Sequence, residues 1–176
     1  MHAWGVDDRP LRLLETGPDK NEDDPKALAC YGTYFPDWKP ERNMLLRFVK
    51  GRPVSSVTTT FLEWTCQRLC ERGKRVWALV WDRASWHTSW HTSHETQSGW
   101  IKAHNQEVKR TGEGVRIIAC LLPSKSPWLN PIEPKWLHGK RAIVKPEGVL
   151  SVEEVIDRVH SYYGCEHLQH IVQSTD

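Results

Sequence analysis

Apolar and polar positions change period several times along the chain, and each change marks an element. Ala27–Phe35 reads as a strand, with Pro36 and Pro40 punctuating the turn after it, and Met44–Val49 reads as a second strand stopped by Gly51 and Pro53. Two strands joined by a short linker suggest an antiparallel pair. From Ser55 to Arg72 the apolar positions Val57, Phe61, Thr65 and Leu69 recur at helical spacing, and Gly73 suits the C-cap. Arg75–Trp81 is an almost continuous apolar run ending at Asp82, as expected of a strand covered on both faces. A polar helical stretch to about Lys109 follows, and Val115–Leu122 repeats the buried-strand signature. The last helix is the clearest. Ser151 and Glu154 form a capping box, Val152, Val155, Ile156 and Val159 form one stripe, and Gly164 ends it.

This alternation predicts a mixed α/β sheet in a single domain spanning residues 1–176, with residues 1–25 as a loop or hairpin and 165–176 as a frayed polar tail. With 39% hydrophobic residues the chain can bury an ordinary core. No stretch approaches the ~20 apolar residues of a membrane span, and no signal-peptide pattern opens the chain, so a cytoplasmic location without a membrane partner is expected. Net charge is +2, compatible with nucleic acid but no argument for it. Lys135, Lys140, Arg141 and Lys145 make the densest basic run, which a solvated surface also explains. The five cysteines form no CxxC pair and are expected as reduced, largely buried thiols. Of the ten tryptophans, several are expected in the core.

Two carboxylates stand out by position. Asp82 ends the best buried strand, at the edge of an α/β sheet where reacting groups collect, although an Asp there also caps a following helix. Glu133 follows the loop Pro123-Ser124-Lys125-Ser126-Pro127-Trp128-Leu129-Asn130-Pro131-Ile132 and opens a helix carrying Trp136, where it also favours the helix dipole. Brought to ~4 Å, two such carboxylates repel by about 4 kcal/mol at an effective dielectric of about 20. They then need a cation or a shared proton, and oxygen ligands select Mg²⁺ or Mn²⁺ over zinc. Such ions activate water and stabilise a leaving oxygen in phosphodiester cleavage.

The strings VWDRASWH and LLPSKSPWLNPIEPKW resemble the second and third catalytic blocks of mariner-like DDE transposases, such as those of bacterial insertion sequences. The upstream segments HAW…RPLRLLE and KALACYGTYF resemble the early strands of that family. The resemblance implies a ribonuclease-H-like mixed sheet flanked by helices, with Asp82 and Glu133 as catalytic metal ligands for Mg²⁺ or Mn²⁺. It also implies cleavage of transposon ends and their joining to target DNA. His87, Pro127, Asn130 and Pro131 support the motif, and Lys125, Lys135, Lys140 and Arg141 are candidate DNA contacts.

Three departures qualify this. The family's first Asp lies on a strand just upstream of the segment matching His2-Ala3-Trp4, so the chain reads as truncated, its first strand missing and its activity crippled. Arg83 follows Asp82 where the family has Asn, and a cation there competes with a metal. No helix-turn-helix region for recognising transposon ends accompanies the domain. An alternative function is an inactive regulatory fragment that binds DNA or an intact transposase, or forms a homo-oligomer, through an exposed sheet edge. A tandem repeat of Ser85-Trp86-His87-Thr88 places His87, His91 and His94 on one helix face, which offers a further alternative, a zinc site.

Overall fold

The element order follows the alternation of periods in the sequence. In the computed structural model, residues 3–4, 10–11, 29–50, 55–81, 97–123, 126–143 and 150–172 are described. Strands β1 (Ala3–Trp4) and β2 (Pro10–Leu11) pair with each other. They are followed by β3 (Ala29–Tyr34), β4 (Met44–Lys50), helix α1 (Ser55–Glu71) and β5 (Val76–Trp81). Then come α2 (Gln97–Thr111), β6 (Arg116–Leu121), α3 (Glu133–Ile143), α4 (Val152–Tyr163) and β7 (Ile171–Val172). None of the described helices is long and apolar enough to cross a membrane.

In place of one continuous sheet, the described strands form three: β1-β2, β3-β4-β7 and β5-β6. As the sequence predicts, β3 and β4 are antiparallel, Tyr31 facing Arg47 and Gly32 facing Leu46. β4 and β7 are parallel, as are β5 and β6, so the architecture is mixed α/β.

Helix α1 ties the two larger sheets together, because its apolar residues recur three and four apart on a broad stripe. Val57 and Phe61 pack on Val49 of β4 and Ile171 of β7. Leu62, Cys66 and Leu69 pack on Trp77, Leu79 and Trp81 of β5, joined by Ile101 of α2 and Ile117 of β6. The helix ends at Gly73, whose φ of 71° puts it in the left-handed region, and Lys74 N–H donates to the Leu69 carbonyl at 2.9 Å. The other face of β3-β4 is covered by α3 and α4, where Met44, Leu46, Ile143, Tyr163 and Trp136 meet.

Two expectations are corrected. The run Val76–Trp81 is covered on only one face among the described residues: Trp77, Leu79 and Trp81 are buried, whereas Val76 and Val80 are exposed. A continuous apolar run does not tell one covered face from two, because the second face depends on elements remote in sequence. The tail is also not frayed up to Val172. Arg47 donates to the Gln169 carbonyl at 2.7 Å, and Ile171, 4% exposed, pairs with Val49. Its polar residues concealed a single apolar anchor that β4 buries.

The cap of α4 is as read from the sequence. Glu154 N–H donates to Ser151 Oγ at 3.1 Å, Ser151 N–H donates to Glu154 Oε2 at 2.8 Å, and Gly164 adopts φ 61°. The cysteines divide: Cys66 is buried, Cys30 and Cys165 are half-buried, and Cys70 and Cys120 are exposed. Trp77 and Trp81 are core, whereas Trp128 is 73% exposed.

Two predictions follow from the packing between α3, α4 and β4. A methyl group at Gly139 would run into the ring and hydroxyl of Tyr163, which itself donates to the Lys135 carbonyl at 2.8 Å. Gly139→Ala is expected to cost about 1–3 kcal/mol, as overpacking does, read as a lowered urea midpoint.

The second prediction concerns alkaline pH. Burial, and then the neighbouring Cys165, push the Cys30 thiol up to about 12. Burial, then Glu166, raise Cys165 to about 11. Burial, then Tyr162, raise Tyr163 to about 12 from 10.0. Each neutral form is favoured in the fold, so its contribution is complete below the unfolded-state value and is lost as pH rises through the folded one. The urea midpoint should therefore fall steadily from about pH 9 to about pH 12, and Cys30→Ala should flatten that slope.

Candidate active site

The loop after β6 delivers Glu133 to the start of α3. Pro127–Leu129 forms one turn of 3-10 helix, after which Asn130 organises the helix start. Its carbonyl accepts the Glu133 N–H at 3.1 Å and its side-chain oxygen accepts the Ile132 N–H at 3.4 Å. These bonds satisfy donors that the first turn of a helix leaves without intrahelical partners. Pro131 precedes them and lacks an N–H to satisfy.

Close packing fixes α3 in place. Gly32 in the middle of β3 leaves room for Trp136: a Cβ there would lie 2.5 Å from the indole ring. An isolated glycine in a strand signals such an approach, and this one could have been read from the sequence. Trp136 also meets Tyr163 edge-on, with ring centroids 5.7 Å apart. Lys135 lies with its Nζ 5.0 Å from the centre of the Tyr34 ring, a cation–π contact that ties the helix to the end of β3.

The result is a cleft of about 680 Å³. One wall is β3 and the turn after it, from Gly32 to Trp38, and the opposite wall is β5 from Val76 to Trp81. Thr58, Phe61 and Leu62 of α1 also line it, as do Asn130–Glu133 and Trp136. Trp81, the last residue of β5, and Glu133 thus line the same cleft, and Asp82 is the next residue in the chain. Asp82 itself, His87, His91, His94 and Lys125 lie outside the described residues.

Among the described residues, no group of three or more His, Cys, Asp or Glu side chains could hold a metal. Glu133 is exposed and has no ion-pair partner among them, and a carboxylate is a suitable oxygen ligand for a hard cation. One carboxylate fits half of a two-carboxylate Mg²⁺ or Mn²⁺ site, and the other half depends on Asp82. Of the basic candidates, Lys135 is half-buried and turned to Tyr34, whereas Lys140 and Arg141 are exposed in the last turn of α3. They favour the negative end of that helix whether or not they meet a ligand.

Sequence reasoning did not mark Tyr34, Asp37 or Trp38, which the turn after β3 brings into the cleft. Phe35 stacks on Trp38 with centroids 4.0 Å apart, and the Arg72 guanidinium lies 3.9 Å from the Trp38 ring. Their signal was a Pro-punctuated turn, which gives no direction for the side chains around it.

No curated protein and no solved structure matches the chain. Its residues 45–156, nearly two thirds of its length, match the family described as DDE superfamily endonuclease. The matched span runs from β4 into α4 and includes both Asp82 and Glu133. The chain belongs to the DDE superfamily endonuclease family.

Proposed function

We propose that the chain is the catalytic domain of a mariner-like transposase, acting on DNA by metal-dependent phosphodiester cleavage and strand transfer. The observation that carries this reading is the family match across both carboxylate blocks, together with an exposed Glu133 that lines the same cleft as the end of β5. A ribonuclease-H-like arrangement is part of the same proposal. It is supported by the order strand, strand, helix, strand, helix, strand, helix and by parallel β5 and β6.

Asp82 and Glu133 would hold Mg²⁺ or Mn²⁺, which supplies an activated water and neutralises charge on the leaving oxygen. The residues of the chain then do the positioning. Asn130 and Pro131 set the first turn of α3, Trp136 on Gly32 holds that helix against β3, and Glu133 is presented from a rigid helix start. A site fixed on packed elements keeps its geometry better than one carried by a loop. DNA is the substrate on this reading, with Lys125, Lys140 and Arg141 as candidate phosphate contacts. Such contacts would make binding fall steeply with salt.

In this reading the centre is crippled, because Arg83 beside Asp82 competes with the metal and lowers its affinity. Calorimetric titration with Mn²⁺ is expected to show millimolar binding, weakened about tenfold or more by Glu133→Gln or Asp82→Asn. Arg83→Asn is expected to strengthen that binding severalfold. Supercoiled plasmid should be nicked slowly or not at all. Mn²⁺ binding indifferent to both carboxylate substitutions would sink the metal site, and fast nicking abolished by Asp82→Ala would sink the claim of a crippled centre.

A further inference from the structure

Three histidines gather where helix α4, strand β4 and residues 165–172 meet. His160, in the last turn of α4, is only 3% exposed. Its ring meets Phe48 of β4 edge-on, with centroids 5.3 Å apart, and lies against the ring of His167 at 4.2 Å. His170 joins the group, its ring centroid 5.9 Å from that of Phe48. Nδ1 of His160 is buried and has no hydrogen-bond partner among the described residues.

The bonds that hold residues 165–172 surround this group. Cys165 N–H donates to the His160 carbonyl at 3.0 Å, and Cys165 Sγ donates to the Met44 carbonyl at 3.3 Å. Arg47 holds the Gln169 carbonyl, and Ile171 and Val172 pair with Val49 and Lys50 in a short parallel ladder. Arg68 reaches Glu166 at 3.0 Å on the surface.

We propose that His160, His167 and His170 form an acid-sensitive latch. Neutral, they seat residues 165–172 on β4; protonated, they release that segment while the rest of the fold persists.

The surroundings make charge costly at this place. An imidazolium carries an N–H at both ring nitrogens, so charged His160 buries an N–H at Nδ1 without an acceptor. Charge on His167 or His170 then adds repulsion between like charges at close range. Burial, and next His167, hold His160 below the ordinary histidine value of 6.5, and His170 acts in the same direction. A hydrogen bond with the Cys165 backbone and the Asp157 carboxylate oppose this without outweighing it. Asp157 is 72% exposed and His167, its partner at 3.6 Å, is 60% exposed, so solvent screens that pair. β4 supplies no countercharge: Arg47 is turned to the opposite face, 5.1 Å from the centre of the Trp64 ring, and Lys50 is itself a cation. Arg158 of α4 is turned to the Ile143 carbonyl at 3.1 Å. The thiols of Cys30 and Cys165, raised to about 12 and about 11, stay neutral in acid.

The fold favours the neutral His160 ring, so its contribution is complete above the unfolded-state value and is lost as pH falls below it. The loss falls on the segment, which carries two of the three histidines and pairs with β4 only at Ile171 and Val172. β4 itself remains paired with β3 from Met44 to Val49. Among the described strands, release turns β4 into the edge of its sheet and uncovers Val57 and Phe61, which Ile171 covers.

The latch stands apart from the nuclease reading, and its test needs neither metal nor DNA. Amide hydrogen exchange on the full chain, expressed as protection relative to the intrinsic rate at each pH, separates local release from global unfolding. From about pH 7.5 to about pH 5, protection of residues 165–172 is expected to fall about tenfold while that of β5 and β6 holds. His160→Phe keeps a ring at this position and cannot be charged, so its protection should stay level over the same range. His167→Gln, at an exposed position, should reduce the fall by removing the neighbouring charge, and it decides the matter if His160→Phe does not fold. Protection of the segment that ignores pH, an undiminished fall in the deciding variant, or a parallel loss in β5 and β6 overturns the latch.

Discussion

The packing of α1 against two separate sheets is the constraint on which the rest of the molecule depends. Phe61 and Leu62 are adjacent in sequence and point into different clusters, one under β4 and β7, the other under β5. Burying such a side chain contributes about 1.5–3 kcal/mol, and seven residues of the helix are buried. No other described element packs in both clusters. Through α1 the end of β5 is held at a fixed place relative to β3, and the cleft exists because the helix spans a gap that no described strand fills.

The second fixed point is the contact of Trp136 with Gly32. It places α3 over the cleft from the opposite side and thereby decides where Glu133 presents its carboxylate. Tyr163 locks the far side of α3 by filling the space over Gly139 and bonding to the Lys135 carbonyl. The acidic residue is thus carried by a helix whose two small-residue sites, one on its partner strand and one on itself, each admit an aromatic ring. A larger residue at either glycine would shift the helix and its carboxylate together.

The open edges and the exposed face of β5 describe one feature from two directions. Val76 and Val80 are 54% and 40% exposed, and both residues line the cleft. Monomeric domains cover or blunt such edges, because unpaired strand edges recruit other strands. Residues of α1 and α3 line the cleft together with both strands.

Much of the local structure was legible in the sequence. Helix α1, the antiparallel β3-β4 pair, the Ser151 capping box and the Gly164 stop all follow from periodicity and short-range hydrogen bonding, which depend on neighbours a few residues away. The family also showed in short strings around Asp82 and Glu133, because a loop with three prolines and an asparagine cap is specified locally. What tertiary structure alone decided was every relation between elements. It uncovered one face of Val76–Trp81, divided the sheet, anchored the polar tail through Ile171 and turned Lys135 onto Tyr34. The physical reason is common to all four. Burial and edge pairing are set by partners far away in sequence, and a one-dimensional pattern records that a residue is apolar without recording what covers it.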